Sequence, residues 1–171
     1  MSIMTLATLL IFPAFMAYAA ASDLVSMRIS NRISLGLISA FIVFALVCQL
    51  SLAQLGLHLG AGALVLVICF GMFAAGWIGG GDAKLAAATA LWIGPELLPA
   101  YAMISSVAGG LLTLWILNMR THPLPRFALG WTWLERLHSP NNGVPYGIAL
   151  AMAGLFIFPY STIWKSAAMI G

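Results

Sequence analysis

Long apolar runs broken by short polar patches make up almost the whole chain. Predominantly apolar stretches cover roughly Ile3 to Ala21, Ile33 to Ala53, Leu57 to Ile78, Leu85 to Leu91, Pro99 to Leu117 and Val144 to Ile163. Five of them approach the ~20 residues that a helix needs to cross a bilayer. The pattern predicts an all-α, polytopic membrane protein, a bundle of about six transmembrane helices. The fourth run is the exception, since it starts near Asp82 and meets Gly94 and Pro95 after ~12 residues, or ~18 Å at 1.5 Å per residue. It falls short of a ~30 Å hydrocarbon core. Either the bilayer is thin there or neighbouring helices enclose its ends, and the second arrangement puts Asp82 somewhat inside the membrane's depth. The longest polar connection, Asn118 to Gly143, carries Pro123, Pro125 and Pro140. Its stretch Phe127 to Leu137 reads either as a short amphipathic helix on the membrane surface or as a loop anchored by two indoles. No appended soluble domain is expected, so residues 1–171 form a single integral membrane domain with a cytosolic loop at about 118–143.

Composition sharpens this picture. With 63% hydrophobic and 6% charged residues and a mean hydropathy of +1.05, the chain has too little polar surface to cover a globule in water. Charge sets the orientation. If the amino terminus faces outward, the inner connections hold Arg28, Arg32, Lys84, Arg120, Arg126 and Arg136, and the outer side keeps only Lys165. That asymmetry predicts both termini on the outer side. Trp77, Trp131 and Trp133 then fall at the inner interface, and Trp92 and Trp164 at the outer one. The net charge of +3 describes topology, and no nucleic-acid partner is expected. The first apolar run has neither a basic region before it nor a small-residue cleavage site after it, so a cleaved signal is not expected. Cys48 and Cys69 lie singly in apolar runs, and His58, His122 and His138 are scattered, so no metal site is expected.

The candidate chemistry lies in the only two aspartates, Asp23 and Asp82, each placed where an apolar run meets a polar patch. A carboxylate near hydrocarbon is costly and calls for a function. Asp23 closes the first helix and Asp82 opens the fourth. Two complete crossings separate them, so both end on the same face whichever way the bundle is inserted, and the cation count makes that face cytosolic. Two carboxylates brought close cannot both ionise cheaply and share a proton. Such a pair can activate water against a peptide carbonyl, with the ionised member as base and the protonated one as acid. Gly79, Gly80 and Gly81 ahead of Asp82 let the backbone unwind and a substrate strand approach. Lys84 either snorkels to lipid head groups or acts on Asp82. Simpler roles also exist: Asp82 can cap its helix, and Asp23 can be balanced by Arg28. An alternative function is a small proton- or cation-conducting transporter subunit using both aspartates.

The segment Gly79 to Leu85, GGGDAKL, resembles the GxGD signature of intramembrane aspartyl proteases, in particular type IV prepilin peptidases. Asp23 followed by Arg28 and Asn31 is similar to that family's first aspartate segment, with Ser30 where proline is usual. There Asn31 is expected to cap the second helix, with a looser turn before it. Val144, Pro145, Tyr146 and Gly147 resemble the stretch opening the last helix in the short Flp or tight-adherence (CpaA/TadV-like) type. The resemblance implies removal of leader peptides from prepilins or pseudopilins on the cytosolic face of a bacterial inner membrane, for pilus biogenesis or secretion. It carries the catalytic positions onto Asp23 and Asp82, with Gly79, Gly80, Gly81, Lys84, Arg28 and Asn31 as site-shaping or substrate-binding residues. It also implies no cofactor and no methyltransferase activity, because the inserted cytosolic region of larger members, often with paired CxxC motifs, is absent. Partners are the prepilin substrates and membrane lipid; the oligomeric state is left open.

Overall fold

The structure, a computed structural model, describes residues 3–124 and 130–170, and the side chains of 9–124 and 130–167. Eight α-helices follow in order: α1 Ile3–Ser26, α2 Asn31–Val47, α3 Leu52–Ala74, α4 Gly80–Ile93, α5 Leu98–Arg120, α6 Thr132–His138, α7 Gly147–Ile157 and α8 Thr162–Ile170. No strand occurs among the described residues.

Helix α4 is the axis of the bundle. From Leu85 to Gly94 every residue is buried, as expected of a helix that is apolar on all sides. Its alanines, Ala86, Ala87, Ala88 and Ala90, let α3, α2 and α7 approach closely, since helices in lipid associate by packing and not by a hydrophobic drive. The enclosing helices show one-sided stripes. In α1, Leu9, Phe12, Met16, Ala19 and Asp23 are buried at intervals of three and four residues, and in α2 Ile33, Leu37, Phe41 and Phe44 follow the same spacing. In α3 only His58, Ala61 and Gly62 are buried. Most of α3 therefore faces outward while one side rests on α4.

Three helical segments, Leu9–Ser26, Leu52–Ala74 and Pro95–Arg120, are long and apolar enough to cross a membrane. The other expected crossings are shorter. Helix α2 has 17 residues, because Gln49 takes φ +51 and Ser51 opens α3 with a capping box to Gln54, so the second run ends before Ala53. The sixth run is not continuous. Helix α7 ends after 11 residues, a 3-10 turn occupies Phe158–Tyr160, and α8 starts beyond Ser161. Pro159 lies within that turn and lacks the N–H to continue the helix.

Two further expectations change. Asn31 does not cap α2; Ser30 does, with extended backbone (φ −66°, ψ 141°) and a hydroxyl accepting the Arg32 N–H at 3.3 Å. Serine thus closes the turn in place of proline. Trp92 is not an interfacial residue but is fully buried, its Nε1 donating to Leu37 O at 3.0 Å. His58 is buried as well, its Nδ1 bonded to Leu91 O at 2.6 Å. Of the expected surface helix Phe127 to Leu137, residues 127–129 lie outside the described residues; α6 begins at Thr132, with Trp131 and Trp133 stacked at 6.1 Å. Arg120 ties α5 to this segment by donating to the carbonyls of Leu137, Asn142 and Gly143.

Candidate active site

Asp23 stands in the core register of α1 and is 5% exposed. Its Oδ2 accepts the backbone N–H of Gly147, the first residue of α7, at 2.8 Å. A helix start leaves four N–H groups without internal partners and carries partial positive charge, so this is a favourable seat for a carboxylate. Glycine at 147 is required by the close approach. A Cβ there would stand 2.8 Å from Asp23 Oδ2 and 2.6 Å from Ile29 Cδ1.

Asp82 is the third residue of α4. Its carboxylate folds back over Gly79, the residue that precedes the helix. A Cβ on Gly79 would lie 2.9 Å from Asp82 Oδ2. Gly81 packs on the α1–α2 connection, where a Cβ would come 3.1 Å from Ile29 Cβ. Ile29 is thus flanked by Gly81, next to one aspartate, and by Gly147, bonded to the other. The two carboxylates lie within electrostatic reach of each other. The end of α1, the connection after it, and the starts of α4 and α7 converge at one end of the bundle.

The glycines do not act by unwinding. Gly79 is extended (φ −74°, ψ 145°) and Gly80 and Gly81 are already helical, while the positive φ needed for the chain reversal falls on Gly76 (+76°). Gly80 instead faces the Phe73 ring, 3.3 Å from where a Cβ would be. Lys84 follows Asp82 by two residues, which turns it to the opposite side of α4. Its Nζ donates to Asn31 Oδ1 at 2.9 Å, so Lys84 and Asn31 are joined to each other and not to Asp82. Arg28 is exposed, and its backbone carbonyl accepts the hydroxyls of Ser22 and Ser26. Tyr18, one and a half turns before Asp23, is 63% exposed on the opposite face of α1.

On its other side Asp82 borders a cavity of ≈ 430 Å³ between α3 and α5, floored by α4 and lined also by Cys69, Tyr101, Ser105, Ser106 and Tyr146. Tyr146 Oη donates to Ser105 O at 3.1 Å, its ring resting on Gly109. In the sequence, Tyr146 and Gly147 stand out through the resemblance of the Val144–Gly147 stretch, whereas nothing singles out Ile29 or Tyr101. Gly56 and Gly60, a GxxxG pair, face open space, whereas Gly62 takes the close contact with Leu91.

The arrangement offers two partly enclosed carboxylates, a backbone N–H bonded to Asp23 and an apolar cavity beside Asp82. The family model of the type IV leader peptidase family matches residues 10–114, more than half of the chain and a span holding both aspartates and the three glycines. No curated protein and no solved structure matches the chain.

Proposed function

The chain belongs to the type IV leader peptidase family, and from that premise we propose that it is an aspartic endopeptidase whose working pair is Asp23 and Asp82. The observation that carries this is the convergence of the only two aspartates, 59 positions apart in sequence, around Ile29 and Gly147 at one end of a helical bundle. Isolated capping duties would not require them to meet.

In this mechanism one carboxylate is ionised and takes a proton from water as the water attacks the scissile carbonyl. The other, protonated, donates to the carbonyl oxygen, and the tetrahedral species collapses with a proton delivered to the leaving amine. The two groups titrate as a pair. The Gly147 N–H holds the Asp23 carboxylate in place before substrate arrives, and Asp82 is held over Gly79 by the start of its own helix.

The finer assignment is to the short Flp type. Substrates are prepilins or pseudopilins, cut on the cytosolic side of a bacterial inner membrane with the apolar helix left in the bilayer, in service of pilus biogenesis or secretion. Orientation with both termini outside rests on the bias of basic residues to the inner connections. Activity is peptidase without methyl transfer, because no insertion bearing paired CxxC motifs interrupts the sequence. A conducting subunit is disfavoured by the packing at the far end of α4, where Phe12, Phe41, Phe44 and Phe158 surround Trp92. Rings there leave little for a proton to follow.

Purified protein in lipid nanodiscs, given a tagged Flp-type prepilin and no metal or cofactor, is expected to release the leader. Mass spectrometry of the product is expected to show a free, unmethylated amino terminus. An uncut prepilin would refute the peptidase assignment, and a methylated product the restriction to it.

A further inference from the structure

The cavity beside Asp82 contains one polar group that the fold does not use. Tyr101 is 4% exposed and lines the cavity, and its hydroxyl, close to the Thr89 side chain, has no partner at hydrogen-bond distance. The neighbouring hydroxyls direct their own protons elsewhere. Thr89 Oγ1 donates to Leu85 O at 2.8 Å, Ser105 Oγ to Ala102 O at 3.1 Å, and Tyr146 Oη to Ser105 O. A buried hydroxyl left unpaired costs free energy that a phenylalanine would avoid, so an orphan in a cavity beside a candidate catalytic carboxylate points to a ligand.

The shape of the cavity narrows what that ligand is. Helix α3 rests on α4, and α5 rests on α7, so a lateral cleft opens between α3 and α5 with α4 as its floor. Leu64, Val65 and Ile68 of α3 make its wall alkyl. Along α5 it runs from Leu98 to Ser106, roughly 12 Å or two helical turns at 1.5 Å per residue. Its inner end is Asp82, and Tyr101 lies one turn farther out than Ser105. An occupant must therefore have its reacting bond at Asp82, continue as an apolar segment toward the membrane interior, and carry a hydrogen-bonding group one to two turns along.

We propose that this cleft seats the first two turns of the substrate's own apolar helix, just after the scissile bond, and that Tyr101 Oη hydrogen-bonds a polar side chain carried on them. This rests on the leader peptidase assignment and adds a specificity residue to it. Tyr101 does not touch the reacting atoms. It reads the register of the helix, so that one peptide bond is presented to the aspartates.

Two measurements test it. Cys69 lines the cleft while Cys48 sits at the far end of α2, so modification by N-ethylmaleimide reports occupancy with an internal control. In the Asp23→Asn protein, which should bind without cutting, saturating prepilin is expected to slow modification of Cys69 at least fivefold and leave Cys48 unchanged. Equal rates at Cys69 with and without prepilin would overturn the assignment of the cleft. The second measurement uses prepilins whose first two turns are alkyl except for one glutamine moved through each position. Wild type is expected to favour one position five- to tenfold in kcat/KM, about what one hydrogen bond supplies. Tyr101→Phe, which keeps the ring, is expected to lose that preference while cutting the all-alkyl substrate as wild type does. The same preference in both enzymes, or none in wild type, would remove Tyr101 from recognition. If wild type cuts no member of the series, nor the unaltered prepilin, the peptidase assignment itself fails.

Discussion

The two ends of α4 are built on opposite rules. At the Trp92 end, aromatic rings close on one another: Phe12 and Phe158 at 4.4 Å between centroids, Phe12 and Trp92 at 5.4 Å, and Phe158 and Trp164 at 5.4 Å. Polar atoms there, the Trp92 indole and the His58 ring, are bonded to backbone carbonyls of neighbouring helices. At the Asp82 end, glycines make the close contacts, the Asp23 carboxylate takes a backbone N–H, and a cavity with an unused hydroxyl opens sideways. One end holds the bundle together so that the other can keep buried charge and space. Stability and chemistry should accordingly separate when each end is altered.

The largest effect should come from the smallest atom added. Gly147→Ala puts a methyl against Asp23 and Ile29, displacing the carboxylate by a fraction of an ångström to an ångström, and a shift of that size costs about a hundredfold in rate. Leader removal should fall accordingly with thermal unfolding in detergent near that of wild type. A variant that loses stability and keeps its rate would break the division between the ends. Trp92→Ala should do the reverse. Loss of a fully buried indole and its ring contacts is expected to cost on the order of 3 kcal/mol in denaturant unfolding, while the rate per folded molecule changes little. Ser30→Ala removes the cap of α2 and should cost about 1 kcal/mol, visible in the same unfolding assay. The mildest change is Lys84→Ala. Its bond to Asn31 is exposed and on the far side of α4 from Asp82, so kcat should stay within about threefold, the scale of one exposed hydrogen bond. A much larger fall would mean that Lys84 acts on the aspartates after all.

Much of this was legible in the sequence because the bilayer restricts what an apolar run can be. The all-helical class and the siting of Asp23 late in one helix and Asp82 early in another follow from spacing, and GGGDAKL and Val144 to Gly147 mark two of the segments that meet there; the expected count of about six crossings does not carry over, since eight helices are described and three of them are long and apolar enough to cross. What remained hidden depends on rotation about helix axes. Trp92 and Trp164 look alike in a list of apolar positions, yet one is the core and the other packs at its edge. Lys84 reads as a neighbour of Asp82, yet two residues on a helix point to opposite sides. The sixth run hides its break because Pro159 sits among apolar residues that carry no sign of which turn the helix abandons. Ile29 and Tyr101 have no local signature; only three-dimensional packing makes one the spacer between the aspartates' segments and leaves the other without a partner.

The central claim is that the two aspartates act as a unit, and the most direct test compares Asp23→Asn, Asp82→Asn and the double variant for release of the leader from a reconstituted prepilin at equal membrane abundance. Groups that share one proton fail together, so both single variants should be inert and the double no worse than either. Cleavage retained by either single variant would contradict the account.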